Sequence, residues 1–183
     1  MSKSLIKLLD NSIIPASVMI ASKFVGILLS IKILNIPWSI KDYTNSILTV
    51  TTFLRKEDIS TVTSYSDLAM YFALASLLTF NIVKAVYLHN THLRPNLILQ
   101  LARRNLLSLI TGSYEIYHSC TVWITFTWIA NILILINVLT ERTYIWIGLI
   151  CTISTLVLTW VLAQDVYREI DNIRKHPGEY SWE

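Results

Sequence analysis

The two most apolar stretches of the chain, residues 117–139 and 144–166, are separated only by Thr140, Glu141, Arg142 and Thr143. A helix needs about 20 mainly apolar residues to cross the hydrocarbon core of a bilayer, and each stretch has that length. So short a link permits one arrangement, an antiparallel pair. Residues 13–36 and 67–88 have the same character, although Lys23 and Lys32 interrupt the first. Four membrane spans are expected.

Composition points the same way. Of 183 residues, 54% are hydrophobic and only 15% charged, with mean hydropathy +0.53. A soluble domain usually carries about 25% charged residues, so this chain has too few to wet its surface. Six Trp and nine Tyr suit the headgroup level of a membrane. The expected fold is all-α: a four-helix transmembrane bundle forming one domain over 1–183, with the lipid bilayer as its first partner. A net charge of +3 without a basic stripe or a nucleic-acid motif excludes nucleic acid. Cys120 and Cys151 fall inside expected spans, so no disulfide framework is read. Lys3 and Lys7 precede an apolar run as in a signal peptide. Asp10, Lys23 and Lys32 interrupt that run and no small-x-small site closes it, so it reads as a retained helix.

Orientation follows from Lys and Arg. With the N-terminus cytoplasmic, the inner segments hold Lys3, Lys7, Lys84, Arg94, Arg103, Arg104, Arg168, Arg174 and Lys175. The outer ones hold Lys41, Arg55, Lys56 and Arg142. The positive-inside rule then places both ends of the sequence in the cytoplasm, as an even number of spans requires.

The connectors have patterns of their own. Ile40, Tyr43, Ile47, Val50 and Leu54 repeat with 3-4-3-4 spacing, which predicts an amphipathic interfacial helix over 40–54. The Thr-rich run at its end also suits a short strand. Between Pro95 and Gly112, a second interfacial helix is expected over 95–110, with Arg103 and Arg104 at the lipid headgroups. The last helix continues through Val166, Ile170 and Ile173 as a cytoplasmic extension over 166–176 that needs a partner.

Small residues mark where membrane helices approach closely. Ser22, Gly26 and Ser30 lie on the first helix, and Ala69, Ala73 and Ser76 on the second. Gly148, Thr152, Thr155, Thr159 and Ala163 form a stripe on the fourth. These serve either packing within the bundle or a self-association face.

Polar residues within the spans are the candidates for chemistry. Lys23 stands near the middle of the first span, where an ionisable group costs roughly 2.5–3.5 kcal/mol. It either pairs with an acid, with Asp10, Glu115 and Asp165 as candidates, or snorkels to the interface, as Lys32 does. Asn81, Thr125, Asn131 and Asn137 are the other intramembrane polar candidates. At the inner end, Lys84, His89, Glu115, His118, Asp165 and Arg168 come to one depth in an antiparallel bundle, either as a proton- or ion-handling cluster or as interfacial caps. His89, His92 and His118 carry a weak metal or haem signal, and no cofactor is expected from it. The sequence has no G-x-S-x-G elbow, Walker motif, H-E-x-x-H or C-x-x-C-H. The expected function is a non-enzymatic subunit or scaffold of a membrane protein complex. The alternatives are a small homo-oligomeric channel or transporter and a membrane haem or metal protein.

Overall fold

The computed structural model describes residues 3–41, 50–53, 56–87 and 113–175. Among these residues are four helices and one hairpin: α1 (Lys3–Ile33), β1 (Trp38–Lys41), β2 (Val50–Phe53), α2 (Lys56–Tyr87), α3 (Ser113–Leu139) and α4 (Ile145–Lys175). All four helices are long and apolar enough to cross a membrane, over Ser12–Ile33, Glu57–Tyr87, Glu115–Leu139 and Ile145–Asp171. Large apolar side chains lie exposed on all four, Ile20, Phe72, Ile132 and Trp160 among them.

Helix α2 is the centre of the bundle and packs on α1, α3 and α4, while α1 also meets α3 and α3 meets α4. The interior is filled by Leu74 and Leu78 of α2, Ile116 and Ile134 of α3, and Ile147 of α4, all fully buried. Sequential helices run antiparallel. Asn81 of α2 lies level with Ser119 of α3, and Trp128 of α3 with Thr159 of α4.

Helix α1 stops at Ile33, short of the expected 36, in a Schellman motif. Asn35 takes the left-handed conformation with φ 50, which Asn tolerates better than most residues. The Ile36 N–H then donates to the Ile31 carbonyl at 3.1 Å, and the two isoleucine side chains share one buried cluster. Pro37 follows and cannot continue a helix. The α3–α4 turn uses the same device. Glu141 has φ 58, Arg142 N–H donates to the Asn137 carbonyl at 2.8 Å and Glu141 N–H to that of Val138 at 3.0 Å.

Two expectations are corrected. The amphipathic helix expected over 40–54 is, where the structure describes it, an antiparallel hairpin pairing Trp38 with Phe53 and Lys41 with Val50. Val50, Thr51 and Thr52 are β-branched, which disfavours helix and favours strand; this outweighs the helical spacing of the apolar positions. The second helix begins at Lys56 rather than near 67, which adds about three turns. Glu57 and Asp58 in its first turn complement the helix dipole. The interfacial helix expected over 95–110 lies outside the described residues. The extension of the fourth helix past 166 is present to Lys175.

Candidate functional site

The first turns of α2 carry Asp67 into the bundle, where its side chain is 1% exposed. Three other elements converge on this carboxylate. Lys23 of α1 forms an ion pair and hydrogen bond with Oδ1. Asn137 of α3 donates from Nδ2 to Oδ2 at 3.0 Å, and Thr143 of the α3–α4 turn donates to the same oxygen at 2.6 Å. The backbone carbonyl of Asn137 closes the end of α3 while its side chain holds Asp67, so the turn geometry and the site are one construction. A buried carboxylate needs such partners, since desolvation without them is prohibitive.

The acid facing Lys23 is therefore none of Asp10, Glu115 and Asp165. Asp165 sits at the other end of the bundle, where Tyr117 donates to its Oδ2 at 2.9 Å. Asp67 escapes a reading of the sequence because it opens the apolar stretch 67–88, the position of an interfacial residue. The added turns of α2 change that. They extend the helix beyond the end of α3, so that Asp67 falls beside Asn137 and opposite Lys23.

Lys23 also lines a cavity of about 450 Å³ between α1 and α3, floored by Asp67 and Met70 of α2. Ile20, Phe24, Leu133 and Ile136 form its walls, and all four are exposed at its rim. Lys32 is exposed in the last turn of α1.

The remaining polar candidates do not join this site. Asn81 donates to the Leu77 carbonyl at 2.8 Å and accepts from Ser119 at 3.5 Å. Thr125 is exposed and donates to the Thr121 carbonyl; with His118 it lines a cavity of about 260 Å³ at the side of α3. Asn131 is fully buried. Its Oδ1 accepts from Thr152 at 3.2 Å, while Nδ2 has no partner among the described residues.

The small residues occupy three different settings. A Cβ added at Gly26 would lie 2.8 Å from the Ser66 Cα and 2.9 Å from the Ala69 Cβ, so the backbones of α1 and α2 meet there. Ser22 and Ser30 bond back to carbonyls of their own helix. Ala69 and Ala73 are half-buried, whereas Ser76 is exposed. On α4, Gly148 lies against Val138, and Thr152, Thr155 and Thr159 meet Asn131, Tyr71 and Trp128. Thr155 donates its hydrogen to the Cys151 carbonyl at 2.8 Å, so Tyr71 is the donor in the 2.8 Å bond between their hydroxyls. Ala163 is exposed instead.

At the end of the bundle that holds Tyr117 and Asp165, Asp165 and Lys84 are half-buried, His118 likewise, and Glu115 and Arg168 exposed. Glu169 is buried there at 5% exposure, a residue with no apparent signal in the sequence. His89, His92, Arg103 and Arg104 lie outside the described residues. Among the described residues no three His, Cys, Asp or Glu side chains group as metal ligands.

No protein-family model, curated protein or solved structure matches the chain. Its class is thus defined by the fold alone: a chain with four helices long and apolar enough to span a membrane, α1, α2 and α3 being tied together by one buried carboxylate.

Proposed function

We propose that this chain is a multi-pass integral membrane protein, with both ends cytoplasmic, that serves as a non-enzymatic subunit or scaffold of a membrane protein complex. The observation that carries this reading is the outer face of α4. Leu156, Trp160, Tyr167 and Ile170 are all exposed, and with exposed Ala163 they follow a 4-3-4-3 spacing. That is the seam by which one helix packs on another. The seam runs through the apolar part of α4 and on past the level of Tyr117 and Asp165, toward the depth where lipid tails no longer cover it.

The interior supports the same reading. The core is filled with Leu and Ile, and the intramembrane polar groups bond within the bundle at separate depths. Among the described residues these groups bond to nearby groups of the bundle rather than line one continuous polar path, which the channel or transporter alternative needs. Likewise the threonines of α4 face α2 and α3, which removes them from a self-association face.

Purification from native membranes in mild detergent tests the proposal. A second polypeptide in fixed stoichiometry is expected, and Tyr167→Lys or Trp160→Ala should release it. A discrete homo-oligomer would favour the channel instead. A haem Soret band would favour the cofactor protein, and a lone monomer would overturn the subunit reading.

A further inference from the structure

The cavity beside Lys23 holds chemistry that the tie to Asp67 leaves unused. A lysine ammonium carries three N–H donors. One goes to Asp67 Oδ1, and the other two have no acceptor among the described residues. The Lys23 side chain keeps 28% of its surface accessible, against 1% for Asp67, and it lines the cavity of about 450 Å³ between α1 and α3. That volume falls within the range of about 300–1,000 Å³ usual for small-molecule sites. The lining is apolar in both directions along α1. Met19 and Ile20 lie about one turn before Lys23 and Ile27 about one turn after it, while Leu133 and Ile136 of α3 form the opposite wall. The cation with its two spare donors is therefore set among apolar walls, with apolar surface on either side of it.

These features define a ligand whatever its depth in a membrane. The spare donors require an acceptor atom. Apolar walls on both sides of the ammonium require that this atom stand between apolar parts of the ligand. Lys23 and Asp67 together carry no net charge, so an anionic ligand would bring an uncompensated negative charge into an apolar site, at a high desolvation cost. A carbonyl oxygen meets all three conditions. It is neutral, it has two lone pairs to accept with, and in a ketone or a quinone its carbon is bonded to carbon on both sides.

We infer that the cavity between α1 and α3 binds a neutral, membrane-soluble ketone or quinone. Its carbonyl oxygen accepts from Lys23 Nζ, and its apolar parts lie along Met19 and Ile20 on one side and Ile27 on the other. The ligand enters sideways, past the exposed rim of Ile20, Phe24, Leu133 and Ile136. That route is what the inference takes from the membrane-spanning part of the function proposed above, and it is independent of the subunit part.

Photolabelling with benzophenone tests it, on the full chain in nanodiscs. The benzophenone carbonyl lies between phenyl rings, and under near-ultraviolet light it takes a hydrogen from a neighbouring C–H group and joins to that carbon. Peptide mass spectrometry should place saturable labelling on Met19, Ile20, Leu133 and Ile136. Fluorenone should protect these positions. Fluorene, of the same shape without the oxygen, should need about ten times the concentration or more, the loss of a hydrogen bond to a charged group. Lys23→Met should abolish that difference between the two competitors. Ile136→Trp, which fills the cavity and leaves the ion pair intact, should remove the labelling, and Ile150→Trp, on the exposed face of α4, should leave it unchanged. If Lys23→Met fails to fold, the two competitors decide on the wild type alone. Equal protection by fluorenone and fluorene in the wild type overturns the inference, as does labelling that does not saturate or that persists in Ile136→Trp. Stronger protection by a short-tailed ubiquinone than by progesterone assigns the site to quinones, the reverse order assigns it to isolated ketones, and protection by neither overturns it. Alkaline carbonate extraction separates the two levels. A chain that stays in the membrane without saturable labelling loses this site alone, and a chain that washes off yet labels keeps the site and overturns the membrane reading.

Discussion

Asp67 shows how far one buried charge can organise a bundle. Truncating Lys23 leaves that carboxylate in the interior with only the neutral donors of Asn137 and Thr143. Lys23→Leu should therefore destabilise the protein, by about 3 kcal/mol given the usual cost of breaking a buried pair. The double variant Lys23→Leu/Asp67→Leu should recover most of that loss, since replacing both charges by apolar groups is often neutral. Unfolding in detergent checks the cycle; additive losses would mean that the pair does not couple. A lysine in an apolar span, read alone, suggests the opposite sign for Lys23→Leu, because only its insertion cost is then in view. Asn131 gives the contrasting case. One of its buried amide atoms is unpaired among the described residues, which costs about 1–3 kcal/mol, and Thr152 keeps its bond to the Gly148 carbonyl without it. Asn131→Leu should raise the unfolding midpoint, and a clear fall would show that the amide has a partner.

At the scale of elements, the decisive contacts are where helices approach through small or hydroxylated side chains. Thr155 is fully buried and accepts from Tyr71, whereas its neighbour Leu156 is exposed. Thr155→Leu should cost roughly 1–3 kcal/mol from overpacking, with a further loss because the Tyr71 hydroxyl loses its bond to Thr155. Leu156→Ala should stay within about 0.5 kcal/mol, as surface changes do. Equal midpoints for the two would remove the inward face of α4 from the account. The turn between α3 and α4 offers a gain. Glu141 holds a left-handed conformation that glycine adopts without the Cβ clash. Glu141→Gly should stabilise by about 0.5–1 kcal/mol in the same assay.

For the molecule as a whole, the antiparallel order of the four described helices puts Lys3 of α1 and Lys175 of α4 on one side, and the cytoplasmic assignment proposed for that side rests on the distribution of Lys and Arg. Single cysteines at Ser2, Ser60 and Ser181 check the assignment. The native Cys120 and Cys151 are buried and should stay silent. In intact cells an impermeant reagent should reach only position 60. Labelling at 2 or 181 without 60 would reverse the orientation.

Local properties of the chain determined the four membrane-length helices among the described residues, the α3–α4 hairpin and the polar residues worth following, because span length and apolarity depend on sequence neighbours alone. The stop of α1 at Ile33 was not read from the sequence, because the apolar stretch runs past it to 36. The strand pair at 38–41 and 50–53 was legible only in its β-branched residues, against a competing helical spacing. Tertiary structure decided what faces what. Pairing Lys23 with Asp67, Asn137 and Thr143 depends on the relative depth of three helices, and that depth shifts by about 5 Å for each turn added to one of them. Hydropathy marks where a helix is apolar but not where it begins, so the acid that meets Lys23 emerged only once α2 had been set against its neighbours.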